Sequence, residues 1–318
     1  MCSGVRGVRR LSVLFCVLAA GLVVVACGSS SSAGTSSRSS SSSIVAVGAE
    51  NEYANVISQI GGRYVTVSAI ESNPNTDPHT FEASPSVAQE VAKAQLVVQN
   101  GVGYDDYMNK IESASASSSR KIIDVQKLLG LPDDTPNPHL WYSPRTMPAV
   151  AKALVSDLSA LKPSHAAYFQ ANGRKFDASL MPWLNAIASF KKTYPGTPVA
   201  TTEPVGDYML QAAGTDNLTP FTLQASIMNG TDPAPQNVSL QNSLFAQHKV
   251  KVFVYNQQVT DTITQSFLTL AAKYHVPVVG VYETMPTPGY TYQTWMLAEV
   301  NALRKAVADK VSTQKLGG

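Results

Sequence analysis

Short apolar runs and amphipathic stretches alternate along the chain from Ile44 onward. "IVAVGA" (44–49) has the unbroken apolar character of a buried strand, and 51–61 reads as a helix ending at Gly61-Gly62. "YVTVSAI" (64–70) predicts a second strand, followed by a loop to His79. "SPSVAQEVAKA" (84–94) opens with Ser as N-cap and Pro at the first helical position, a good helix start. A strand over 95–100, a helix over 105–113 and a strand over 121–125 complete this run.

Between 145 and 192 the alternation lapses into a helical pattern, divided by Pro163 in "LKPSH", with Pro182 as a candidate kink. Residues 166–190, at about 1.5 Å each, suffice to traverse a whole domain. Strands then return at 197–202, 250–255 and 276–282, with helices at 205–213, 260–274 and 292–309. Such alternation implies an α/β fold of two parallel-sheet lobes joined by one long rigid helix. The corresponding domains are 44–144, the helical segment 145–192, and 193–318.

The first 43 residues differ. Arg6, Arg9 and Arg10 precede "LSVLFCVLAAGLVVVA", a 16-residue apolar run too short for a comfortable membrane span; residues 1–26 fit a secretory signal. The run ends in "VVAC" (24–27), which resembles a bacterial lipobox; that resemblance makes Cys27 the lipidated new N-terminus. Residues 27–43 are a Ser-rich tether, reaching roughly 20 to 25 Å as a coil. An exported domain, lipid-anchored to the outer face of the cell membrane, is the expectation.

That processing alters the composition. The 318 residues, 44% hydrophobic, suffice for one large or two medium domains, and the formal charge is +2. Without the three signal arginines, 21 basic residues face 22 acidic ones, so no basic excess argues for nucleic acid. Cys2 and Cys16 leave with the signal, which excludes disulfides and Cys-based metal sites. Any metal must be held by His, Asp and Glu.

Two of the five histidines lie in one repeated arrangement: "TDPHTFEASP" (76–85) and "NPHLWYSP" (137–144) both read Asx-Pro-His, aromatic two positions on, then Ser-Pro. Proline fixes its own φ and extends the residue before it, while Asp77 or Asn137 can close an Asx turn. Each His is thereby held on a stiff loop, with Phe81 and Trp141 placed to wall the site. In open parallel sheets ligands gather beyond the carboxyl ends of the strands. His79, His139, Glu203 and Glu283 each follow a predicted strand, two in each lobe, so all four can converge in the crevice between lobes. Asp207, one turn after Glu203, is the substitute carboxylate. His165, His248 and His275 read as surface residues; Tyr282, Tyr290 and Tyr292 read as crevice rim, and 229–237 as a loop that can border it.

"DPHTFEASPSVAQEVAKAQLVVQNGVGYDDYM", "NPHLWYSPRTMPAVAKAL", "TTEPVGDYML" and "VPVVGVYETMP" resemble, in order and spacing, the solute-binding proteins of zinc and manganese ABC transporters. The resemblance runs from about Ile44 to the last helix. It implies two α/β lobes bridged by a rigid helix, with one divalent cation between them as transported ligand. The implied ligands are His79, His139, Glu203 and Glu283, the last where many members carry Asp. It also implies a membrane permease and a separate ATPase as partners, with this chain expected as a monomer.

Two imidazoles and two carboxylates form a harder set than the three-His site of zinc-specific relatives, and oxygen suits manganese. Zinc-type members often carry a His-rich loop; the matching stretch here, "QKLLGLPDDTP" (126–136), has no His. Zinc nevertheless outcompetes manganese at most sites, so both ions stay open. A secreted metallohydrolase or a surface adhesin are the alternatives. Hydrolysis needs an open metal position and a general base, and no HExxH, GxSxG or P-loop is present. The expectation is capture and delivery, not an enzyme.

Overall fold

Two four-stranded parallel sheets organise the chain, and the apolar runs of the sequence become their strands. The computed structural model describes residues 43–316; the signal segment, Cys27 and the tether through residue 42 lie outside the described residues. The first sheet comprises β1 (Ile44–Glu50), β2 (Val65–Glu71), β3 (Leu96–Gln99) and β4 (Lys121–Asp124), in the order β2-β1-β3-β4. Its helices are α1 (Asn51–Gly61), α2 (Pro85–Lys93), α3 (Asp106–Ala114) and the short α4 (Val125–Leu128). Two long helices follow, α5 (Thr146–Leu161) and α6 (Ala166–Thr193). The second sheet comprises β5 (Pro198–Thr201), β6 (Asp216–Asn217), β7 (Val252–Asn256) and β8 (Val278–Val281), in the order β6-β5-β7-β8. It carries α7 (Asp207–Ala212), α8 (Phe221–Met228), α9 (Pro235–Ala246), α10 (Thr262–Lys273) and α11 (Tyr292–Asp309). Both sheets thus follow one winding, with the first strand of each lobe between the second and the third.

Local signals explain much of this. The Ser84 hydroxyl accepts from the Val87 amide and Pro85 occupies the first turn of α2, as its sequence predicts. β1, β3, β7 and β8 are almost wholly buried, which accounts for their continuous apolar character. The helical stretch 145–192 divides at a short 3-10 turn, Pro163–His165, whereas α6 runs on through Pro182. Phe169, Gly173, Phe176, Leu180, Trp183, Ile187 and Phe190 form one buried stripe along α6, alternating steps of four and three residues. At about 42 Å this helix is long enough to line both lobes.

One apolar cluster joins the inner faces of both sheets to α1, α5, α6 and α11; separate clusters lie under α2–α3 and under α8–α10. The lobes therefore share a core and are not joined by the long helix alone. Polar ties reinforce it. The Asn51 side chain donates to the Met285 carbonyl and accepts from its amide, both at 2.9 Å. The Tyr142 hydroxyl donates to the Tyr282 carbonyl at 2.8 Å. The end of the described chain lies along the outer edge of β8: Thr313 accepts from the Gly280 amide and donates to the Val278 carbonyl, each at 2.8 Å. A Cβ on Gly280 would come 1.9 Å from the Gln314 carbonyl oxygen, so only glycine permits that approach. Among the described residues no helix is long and apolar enough to cross a membrane.

Candidate metal site

The two Asx-Pro-His segments fold as their sequence predicts. Asp77 Oδ1 accepts the His79 amide at 2.8 Å, and Pro78 starts a 3-10 turn. Asn137 Oδ1 accepts the His139 amide at 3.0 Å and also faces His139 Nδ1 at 2.8 Å. The Asn137 amide nitrogen is committed to the Pro204 carbonyl at 2.7 Å, which leaves its oxygen for the ring. Nδ1 of His139 therefore carries a proton, so Nε2 donates to Glu283 when it is protonated and becomes a free lone pair only when that proton is lost.

Both Nε2 atoms meet Glu283, which sits two residues beyond β8. His79 Nε2 is 3.0 Å and His139 Nε2 3.1 Å from Glu283 Oε2. The donor atoms of these three residues all lie within 4.8 Å of one another. Glu203, two residues beyond β5, is buried but not part of that trio. Its Oε1 accepts from Asn256 Nδ2 at 3.1 Å, the same nitrogen that donates to Glu283 Oε1 at 2.7 Å, and its Oε2 is buried without a hydrogen-bond partner. The fourth predicted ligand is thus one amide away from Glu283. Asp207 is engaged elsewhere, by Asn217 at 3.1 Å and Gln224 at 2.8 Å.

The electrostatics separate the groups. Burial raises the Glu203 carboxyl well above the usual range, and the nearby charge of Glu283 adds to it. Burial would raise Glu283 too, but the hydrogen bonds and charges of His139 and His79 bring it far below that range. Burial alone would lower His79, yet the hydrogen bond and charge of Glu283 leave it raised; at fully enclosed His139 burial prevails and the ring is lowered. Glu283 is thus the carboxyl driven toward its charged form and Glu203 the one driven toward its neutral form. Deprotonated, the set offers two nitrogens and two oxygens to a divalent ion.

Several neighbours were not anticipated. The Tyr104 hydroxyl donates to Glu283 Oε2 at 3.1 Å, with its ring edge-on to both imidazoles. Trp141 does wall His139, with ring centres 5.5 Å apart, but Phe81 packs on Tyr107. Tyr292 is core, not rim: its hydroxyl donates to the Trp141 carbonyl at 2.6 Å, and Tyr282 is buried as well. His248 and His275 are exposed, while His165 is half-buried and stacks on Tyr64 at 3.9 Å. Asn256 at the end of β7, and Gln258, which lies two residues beyond it as Glu203 lies beyond β5 and accepts the Glu283 amide at 2.7 Å, could have been found by position.

The zinc-uptake complex component A (ZnuA) periplasmic family matches residues 47–306. The chain belongs to this family. It is 25% identical over 136 residues to the manganese-binding lipoprotein MntA of Bacillus subtilis, covering 41% of this chain and 44% of that one. It is 22% identical over 219 residues to the high-affinity zinc uptake system protein ZnuA of Haemophilus ducreyi, covering 59% and 69%. A Thermotoga maritima protein is 34% identical over 94 residues, 30% of this chain and only 33% of its own length. The chain therefore spans less than half of two of these relatives. A crystal structure of ZnuA superposes with a TM-score of 0.68 at 19% identity, over 84% of this chain and all of that one. A manganese-bound periplasmic metal-binding protein from Candidatus Liberibacter asiaticus gives 0.66 at 20% identity, over 83% and 99%. Both show the same two-lobed fold.

Proposed function

We propose that this chain captures one divalent transition-metal ion, zinc or manganese, outside the cytoplasm and delivers it to an ABC permease driven by a separate ATPase. The observation that carries this reading is the meeting of His79 and His139 from the first lobe with Glu283 from the second. Glu203 completes the ligand set by releasing its proton and turning its free oxygen toward the ion. Family membership supports metal uptake, and the relatives named for manganese and for zinc support both ions as candidates. The signal segment and Cys27 support export and a lipid anchor. The protein acts as a carrier, not an enzyme, and as a monomer.

Capture follows from the chemistry of the groups. Without metal, Glu283 is held by the imidazoles and the Tyr104 hydroxyl; an arriving dication replaces protons on that cluster. The shared core and the long helix hold the two halves of the site close, so little ordering entropy remains to oppose binding. The test is calorimetric titration of metal-free protein with Zn2+ and Mn2+, followed by thermal unfolding. One ion per chain is expected. At free metal 1,000-fold above the dissociation constant the fold should gain about 4 kcal/mol. His79→Ala combined with His139→Ala should abolish that gain; a gain that persists in the double variant refutes the assignment.

A further inference from the structure

We infer that the Asn256 side-chain amide restricts Glu203 and Glu283 to one metal-facing oxygen each, and so favours a four-coordinate ion over one that needs more ligands. The inference rests on the reading of these two carboxylates as ligands. Asn256 ends β7 and is fully buried. Its Oδ1 accepts the Gln258 amide at 3.0 Å, which fixes the orientation of the group. Both hydrogens of Nδ2 are then directed at the carboxylates, one to Glu283 Oε1 and one to Glu203 Oε1.

The other oxygens behave differently. Glu283 Oε2 faces both imidazoles and the Tyr104 hydroxyl, while Glu203 Oε2 has no partner at all. The arrangement thus presents two imidazole nitrogens and two single oxygens. That number suits zinc, which is held by four ligands in closed sites. Manganese prefers six oxygen-rich positions, reached here most directly by both oxygens of each carboxylate. Turning both oxygens of each carboxylate to the ion would compete for the lone pairs that Asn256 Nδ2 now uses, and so weaken two hydrogen bonds of an enclosed donor. Asn256 is therefore a positioning residue that acts on selectivity through the carboxylates, although it lies outside the ligand set.

The test is competition of Zn2+ and Mn2+ against chelators of known affinity, on the wild-type chain and on Asn256→Ala. The variant should narrow the zinc-over-manganese ratio by about 10-fold, mainly through tighter manganese, while still binding one ion. An unchanged ratio, with both ions still bound, overturns the inference and leaves the capture reading intact. Failure of the wild-type chain to bind either ion overturns the capture reading, and this one with it. X-ray absorption of the zinc-loaded wild-type protein needs no variant: a single shell of four nitrogen and oxygen ligands is expected. A shell of five or six, with carboxylates bound through both oxygens, contradicts the inference even if Asn256→Ala does not fold.

Discussion

His79 and His139 sit on turns of nearly one sequence, yet the protein treats them oppositely. The His139 side chain is fully enclosed, its Nδ1 is hydrogen-bonded to Asn137, and Asn137 is tied in turn to Pro204 and to the Tyr208 hydroxyl across the crevice. The His79 side chain remains 22% exposed, and Asp77 supports only its backbone amide. Asparagine brings a donor as well as an acceptor, so it can bind the second lobe and the ring together; aspartate cannot. The difference teaches a division of labour. His139 belongs to the preset frame, and under the capture reading proposed above His79 marks the side from which an ion arrives.

The largest effect should come from what stands behind the His139 turn. The Trp295 indole donates to Glu299 Oε1 at 2.8 Å, the Tyr142 hydroxyl lies 2.9 Å from the same oxygen, and burial raises Glu299 to about 8 from an ordinary value of 4.5. A carboxyl raised on folding adds stability that is fully present below its unfolded value and lost as pH climbs through its folded one. Between pH 4.5 and 8 the fold should lose on the order of 4 kcal/mol from this group. Glu299→Gln keeps the acceptor and should flatten that decline in denaturant titrations across pH. An equal decline in the variant would show that Glu299 stays charged.

Single replacement of either histidine comes next. If one ligand of four carries about a quarter of the ~10–16 kcal/mol of a closed zinc site, each alanine should weaken binding on the order of 100-fold. His139→Ala should destabilise the metal-free protein more than His79→Ala, by about 1–3 kcal/mol, because it empties a fully enclosed position and removes one of the two donors to Asn137. Equal unfolding midpoints for the two variants would erase the distinction between frame and arrival side.

The smallest effects test the turns themselves. Asn137→Ala releases the His139 ring and should weaken metal binding by about 10–100-fold, the usual cost of losing an outer partner of a ligating His. Asp77→Ala removes one backbone hydrogen bond and should cost about 5-fold or less. Calorimetry on both variants decides, and a reversed order would sink the comparison.

Much of this was legible from residues. α1 and α11 begin and end where their patterns place them, because Gly62 and the long amphipathic run set the bounds. The Asx-Pro-His turns are local chemistry and could be read directly. β6 could not: two residues carry no period, and the ladder from Pro198 and Val199 alone makes them a strand. α8 and α9 escaped because their apolar residues do not gather on one face. Tyr292 was misplaced because an aromatic at a helix start gives no hint of facing Trp141, more than a hundred residues away. Buried acids are invisible to composition as well. Glu50, Glu52 and Glu71 stand out nowhere in the sequence, yet burial first and nearby acidic charge second raise all three, Glu71 to about 8.

The strip that Thr313 adds beside β8 has a practical corollary. A molecule clipped before Ser312 would bare an unpaired row of peptide groups only a few positions ahead of Glu283. Ragged preparations should then show two faults at once: copies that stick edge to edge, and a buried Glu283 whose footing has loosened.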